Sequence, residues 1–374
     1  MKRPKQIRRE LVRVVTLFAF LSCVAFGSPG TSEGSAPQSE TELATGTALT
    51  RTGRFTDAIP HLLAARGHVV NEYAADFNLA LCYVATDQPK LAIPILTEIR
   101  TNSHDNAEVN DLLAQAYVGD TQNQKAFESL QRAASFTPGN EKIYMFVADA
   151  CMGKKAYALG MQVVDLGLKH LQDSARLHFE RAMFLSLLDQ FDNAKNDFDL
   201  ARKLAPDSDV AFIATAQEAM FGGNVPEAIR SAREGIAKGH DNFMLLTLLG
   251  EALLRSGITP GQPGFEEARQ ALEKAVAERP NYPSSQLALG KLYLVANRLG
   301  DAVAHLEVAR QLDPGNPSIY SNLAAAYRKQ GDTQKAKEAL ATLAQLNAAR
   351  AEKIRTAPGD RKASYAGTAG EQHP

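Results

Sequence analysis

The chain has no tryptophan, only three cysteines in 374 residues, and no apolar run long enough to cross a bilayer as a helix. Its longest apolar-rich stretch, Val14–Phe26, is thirteen residues, short of the ~20 that a span needs. A basic excess is also missing. The formal charge is −1, and six of the 41 basic but one of the 42 acidic residues lie in residues 1–27, so the remainder is net −6. That excludes nucleic acid as a partner, since phosphate binding needs clustered Lys and Arg. There is no nucleophile elbow, no HExxH, no GxxxxGK[ST] and no GxGxxG. The eight histidines are dispersed, and none stands three or four residues from another His or Cys as helical metal ligands would. Nothing points to an enzyme, a cofactor or a metal.

What is present begins with an export pattern. Basic residues run from Lys2 to Arg13, the short apolar stretch follows, and Ala25-Phe26-Gly27 closes it as a small-x-small site. Residues 1–27 therefore read as a secretory signal peptide. Phe20-Leu21-Ser22-Cys23 also resembles a lipoprotein signal, with Cys23 as the lipidated residue, although Phe20 and Leu21 depart from that pattern. The expected location is the periplasm or the outside of the cell, with lipidation adding a membrane tether. Residues 28–38, rich in Gly, Ser, Pro and Glu, read as a flexible tether.

From residue 39 one pattern recurs every 34 residues. Units begin at Ser39, Tyr73, Ala107, Glu141, Ala175, Asp209, Phe243, Pro283 and Pro317, and the array spans 39–350. Position 8 is Gly or Ala in all nine: Gly46, Ala80, Ala114, Ala148, Ala182, Ala216, Gly250, Gly290 and Ala324. Position 20 is Ala in eight and Gly160 in the other, and position 24 is apolar throughout, from Leu62 to Leu340. Proline closes four units at position 32: Pro138, Pro206, Pro280 and Pro314. The 20, 24, 27 spacing has a helical period, and a turn falls near position 15 (Gly53, Gly223, Gly257, Gly331). Each unit is thus two short helices whose small residues let the backbones approach. So short a pair cannot bury its own apolar face, so the units must stack.

These positions resemble the tetratricopeptide repeat family. The resemblance implies an all-α, right-handed superhelical solenoid of antiparallel helix pairs. The family's usual tryptophan at position 4 is replaced by residues that include Tyr144, Phe212 and Tyr320. Six extra residues around 257–264 lengthen the seventh unit, where a neutral surface insertion and a second contact loop are both open readings. Beyond the ninth unit the helical pattern continues over 351–357 as a cap, and residues 358–374 read as a disordered tail. Cys82 and Cys151 sit two units apart, too far for a disulfide, and are expected to be buried thiols.

The resemblance further implies that first helices line a concave groove, with positions 2, 5, 9, 12 and 13 facing the ligand. Those positions supply Met145, Met152, Phe179, Met183, Ile213, Met220, Phe221 and Met244. Methionine is flexible and polarisable, suited to an adaptable binding surface. Packing between helices is the competing reading, at position 13 above all. The clamp with which chaperone adaptors of this family hold a C-terminal carboxylate is absent: Asn at position 6 occurs only as Asn78 and Asn322, without the flanking Lys, Asn and Arg. The expectation is a non-catalytic scaffold that takes a peptide or helix of a protein partner. The alternative is a structural subunit of an envelope secretion, pilus or polysaccharide-assembly complex.

Overall fold

The computed structural model describes residues 36–102 and 104–356. The expected signal over 1–27, Cys23, most of the tether and the tail over 358–374 lie outside the described residues. Among the described residues there are eighteen α-helices and no strand. They form nine pairs, each helix joined to its partner by a short turn. The first four pairs are α1 (Ala36–Arg51) with α2 (Phe55–Ala65), α3 (Glu72–Ala85) with α4 (Pro89–Thr101), α5 (Ala107–Gly119) with α6 (Asn123–Phe136), and α7 (Glu141–Gly153) with α8 (Tyr157–His170). Next come α9 (Ala175–Leu187) with α10 (Phe191–Leu204), α11 (Asp209–Phe221) with α12 (Val225–Ala237), and α13 (Phe243–Arg255) with α14 (Pro263–Glu278). The last two pairs are α15 (Pro283–Val295) with α16 (Leu299–Leu312) and α17 (Pro317–Gln330) with α18 (Thr333–Thr356).

Helix α1 starts three residues earlier than the repeat register predicts, so residues 36–38 leave the tether and join the helix. Pro37 allows this, because an N–H missing from the first turn has no intrahelical partner to lose.

The chain divides into two compact halves, one ending at Phe184 and one starting at Leu185, inside α9. The 34-residue period runs through this point unbroken, so nothing in the pattern marks it. In the N-terminal half each helix from α1 to α8 packs on the next, and α1, α3, α5 and α7 also pack successively on one another. In the C-terminal half α10 to α18 repeat the arrangement, with α11, α13, α15 and α17 as the successive first helices. Position 24 is the centre of this packing. It is buried in the first eight units (Leu62, Leu96, Leu130, Val164, Phe198, Ala232, Leu272, Leu306), whereas Leu340 of the ninth is 43% exposed. Among the described residues no further pair covers it, and burying one leucine is worth ~2 kcal/mol.

The turn chemistry is uniform where the residues are not. Position 15 adopts a left-handed conformation in all nine units: Gly53, Asp87, Thr121, Lys155, Asp189, Gly223, Gly257, Asn297 and Gly331, with φ from 56° to 83°. In eight units the N–H at position 16 donates to the carbonyl at position 11, as in Gln88 to Tyr83 at 2.7 Å and Arg298 to Tyr293 at 2.8 Å. That is the Schellman closure, which satisfies a carbonyl left over at the helix end. The seventh unit lacks it; its longer loop instead has Gln262 Oε1 accepting from the Thr259 N–H at 2.9 Å.

Position 4, where the family's usual tryptophan is missing, carries a side-chain donor in several units. Tyr144 Oη donates to the Pro138 carbonyl at 2.9 Å and Tyr320 Oη to the Pro314 carbonyl at 2.8 Å. Gln286 Nε2 does the same to Pro280 at 2.7 Å. In each case a side-chain donor satisfies the carbonyl at position 32 of the preceding unit. An indole N–H is also a donor.

Candidate functional site

Capping side chains fix the start of most first helices, α15 being an exception. Asn106 Oδ1 accepts from the Val109 N–H at 2.9 Å to start α5, and Asn140 Oδ1 accepts from the Lys142 N–H at 3.2 Å to start α7. Ser208 and Asn242 do the same for α11 and α13. Such caps stabilise a helix start by ~1 kcal/mol.

The eight residues singled out from the sequence separate by burial. Phe179 and Ile213 are 5% and 4% exposed, so both are packed side chains. Met145, Met152, Met183, Met220 and Met244 are half-buried, and Phe221 is 41% exposed. On α7, Met145 and Met152 lie two turns apart with Asp149 exposed between them, and both methionines rest on the core of the N-terminal half. In the C-terminal half Met220 packs against the small cluster of Ala219, Ala228 and Ala252, and Phe221 lies beside Phe198 with ring centroids 6.4 Å apart.

The same helices carry carboxylates in poorly solvated places. Desolvation pushes Glu180 of α9 up to about 8, and the neighbouring charge of Asp149 adds to the shift. Asp111 of α5 is raised well above the ordinary carboxylate range, chiefly by burial; its hydrogen bond with Gln115 opposes this and the charge of Glu108 adds to it. Glu108 is itself raised by desolvation. In the C-terminal half Glu251 is held at about 7 by desolvation, against the opposing pull of Lys291 and Arg255. Sequence reasoning passed over Glu180, because position 6 is not one that the family resemblance assigns to the groove. Glu108 holds position 2 of its unit, where the carboxylate clamp of the family would need lysine, and was not among the residues singled out. The available signal was the i, i+3 pair Glu108 and Asp111 at positions 2 and 5 of one first helix.

Cys82 and Cys151 are free and buried. Burial pushes the Cys151 thiol up to about 12, which leaves it protonated and unreactive at neutral pH. Among the described residues no group of three His, Cys, Asp or Glu side chains is placed to hold a metal ion, and no helix is long and apolar enough to cross a membrane.

Comparison with known proteins gives the following. One tetratricopeptide repeat model matches residues 296–356, and a second matches 43–107 and 261–317. Among solved structures, the Cut9–Hcn1 hetero-tetramer of the APC/C aligns with 82% of this chain and 60% of its own, at 13% identity and a TM-score of 0.50. A thermophilic tetratricopeptide repeat protein of Thermus thermophilus aligns over 52% of this chain and 98% of its own, at 24% identity and a TM-score of 0.38. YrrB, a repeat protein with an unusual peptide-binding site, aligns over 49% and 91%, at 18% identity and a TM-score of 0.35. No curated protein matches the chain in sequence.

Proposed function

On the premise that this chain carries tetratricopeptide repeats, whose general role is to mediate contacts between proteins, we propose that the first-helix face of its N-terminal half binds a peptide or helical segment of a protein partner. The observation that carries this is the surface of α7: Met145, Asp149 and Met152 fall on one side of the helix and remain open or half-open to solvent. Every position-24 side chain of the same half is buried. Flexible apolar side chains flanking an exposed carboxylate suit an amphipathic segment.

The test is site-specific photocrosslinking. A benzophenone side chain at position 145 or 152 is compared with one at Lys195, an exposed residue of α10. Protein crosslinks at 145 and 152 but not at 195 are expected, and they should diminish in the Met152→Gln or Met145→Gln background, respectively. Equal crosslinking at all three positions would refute the proposal. Phe179 is unsuitable as a probe, because a charge or a bulky label at a buried site unfolds the local pair.

Export belongs to the same proposal. The basic and apolar segments of residues 1–27 direct the array to the cell envelope, where the partner would be met. Fractionation of the full chain against one lacking residues 2–27 tests this; the same distribution for both would reject it.

A further inference from the structure

The cations of the last three first helices are a feature that the packing of the repeats does not explain. In the C-terminal half every Arg and Lys of α12, α14 and α16 is ion-paired. Arg230 and Arg233 meet Glu227 and Glu267, Arg269 and Lys274 meet Glu266 and Asp241, and Arg310 meets Glu307. On α13, α15 and α17 the cations are Arg255, Lys291, Arg328 and Lys329, and among the described residues none of them forms an ion pair. Glu251 is the only carboxylate that these three helices carry, and it lies within the field of Lys291 and Arg255. The three helices are thus net basic in a chain whose formal charge is −1.

A second observation is independent of ion pairing. At position 13 the successive first helices α11, α13, α15 and α17 carry Phe221, Arg255, Val295 and Lys329. Phe221 and Val295 are 41% and 45% exposed, and Arg255 and Lys329 are open to solvent as well. The stack does not call for large side chains there, since the same position holds Ala85, Gly119 and Gly153 in the N-terminal half. Each of the four helices packs on the next. Arg255 Nη1 donates to the Met220 carbonyl at 2.9 Å, which engages one N–H of the guanidinium and ties the end of α13 to the end of α11. Lys291 lies one turn before Val295, and Arg328 directly precedes Lys329. Apolar and cationic groups therefore alternate across four neighbouring helix ends.

We infer that this row binds an extended acidic segment of a protein partner, in which Asp or Glu alternates with apolar residues. The carboxylates seat on Arg255, Lys291 and the adjacent Arg328 and Lys329, and the apolar side chains on Phe221 and Val295. Packed helices lie ~8–10 Å apart and an extended chain advances ~3.3 Å per residue, so groups that meet neighbouring helices stand about three residues apart. Lys291, Arg328 and Lys329 have no ion pair to give up, so an acidic segment gains their attraction without breaking an existing contact. A basic segment meets like charge and is rejected. Met145 and Met152 belong to the other half of the chain, so neither surface depends on the other.

The experiment is calorimetric titration of the full chain with twelve-residue peptides capped at both ends, so that no terminal carboxylate contributes. The first places Leu, Asp, Val and Glu at every third position among Ser and Thr. The others replace its acids with Asn and Gln, replace them with Lys, or shuffle the order so that the two acids are adjacent. Two triple variants are compared with the wild type: Lys291→Gln/Arg328→Gln/Lys329→Gln on the row, and Lys195→Gln/Lys203→Gln/Lys337→Gln at exposed sites elsewhere in the same half. Circular dichroism confirms that each remains helical. The patterned acidic peptide should bind best, and the row variant should bind it roughly tenfold more weakly, with a shallower salt dependence. Val295→Ser alone should weaken it roughly threefold, and the control variant should match the wild type. Equal loss in both triple variants would mean general attraction to positive charge and would overturn the inference. Equal or tighter binding of the Asn/Gln, Lys or shuffled peptide would overturn it too, as would the absence of saturable binding below about 1 mM. Crosslinking at 145 and 152 reports separately on the N-terminal half, so failure of either surface is read without the other.

Discussion

Gly290→Ala tests whether close helix approach, rather than mere smallness, is what position 8 requires. An ideal Cβ at Gly290 would lie 2.7 Å from Leu306 Cγ, 2.9 Å from its Cδ2 and 3.3 Å from the Ala302 carbonyl oxygen. Leu306 is fully buried and cannot swing into solvent. The same conflict recurs at Gly46 against Leu62 and at Gly250 against Leu272. The three position-8 glycines therefore each face a leucine at position 24, in pairs whose helices approach more closely than alanine allows. Overpacking of this kind costs ~1–3 kcal/mol, offset by the ~1 kcal/mol that alanine gains over glycine inside a helix. The expected net effect is a loss of about 1 kcal/mol. Gly300 is the internal control. It lies in α16 of the same pair, and a Cβ there meets nothing within 4 Å. Gly300→Ala should raise stability by about 0.5 kcal/mol, mainly by restricting the unfolded chain. Repeat arrays depart from all-or-none unfolding, so urea titration should be read together with hydrogen exchange of the α15 and α16 amides. In Gly290→Ala those amides should exchange faster than in the wild type, and adding Leu306→Val should restore part of the protection through a favourable coupling. If Gly290→Ala stabilises the protein as much as Gly300→Ala does, the close-approach argument is wrong.

Two further outcomes follow from the turns and the carboxylates. Thr121 is a β-branched residue held at φ 59°, a conformation costing ~1–2 kcal/mol, so Thr121→Gly should raise the melting temperature while Thr121→Val should not; a lower melting point for the glycine variant would contradict the position-15 reading. Glu180 titrates at about 8 when folded and near the ordinary ~4.3 when unfolded. The unfolded chain therefore gives up its proton first as pH rises. Stability attributable to this residue is complete below about pH 4, declines through neutral pH and levels off above about pH 8. Unfolding of Glu180→Gln in the same pH series should show a flatter decline, and an unchanged profile would place the titration elsewhere.

The repeat architecture was legible because it is written at positions that every unit must share. Position 8 is constrained by the helix opposite, position 24 by burial, and position 15 by a turn that only left-handed backbone can make. The last was only partly visible: the four glycines announced it, whereas Asp87, Thr121, Lys155, Asp189 and Asn297 adopt the same conformation without an obvious signature. The position-4 hydrogen bonds were hidden for a different reason. Tyr144, Tyr320 and Gln286 are of two unlike residue types and share only a donor within reach of the carbonyl at position 32 of the preceding unit. The start of α1 escapes the period because proline at residue 37 suits a linker and a first helical turn equally well. The site was harder still. Ile213 and Phe179 occupy groove-register positions yet are packed, since register fixes direction but neighbouring side chains decide exposure.

Periodic reasoning is weakest where function is strongest, and the carboxylates of the N-terminal half show why. A residue that all units share is selected by the stack, while one that appears in a single unit leaves no trace in the period. The stack also makes such residues tolerable to the fold: its stability is close to a sum over units and their nearest neighbours, so the desolvation of Glu108, Asp111 and Glu180 weighs on α5, α7 and α9 and their contacts. The buried position-24 side chains of the other pairs are untouched by it. A compact single-core domain would spread the same penalty over its one cooperative unit. In a linear array, poorly solvated charge at non-repeating positions therefore marks where the molecule has departed from what stacking alone requires, and that departure, rather than any shared motif, is where a ligand should be sought.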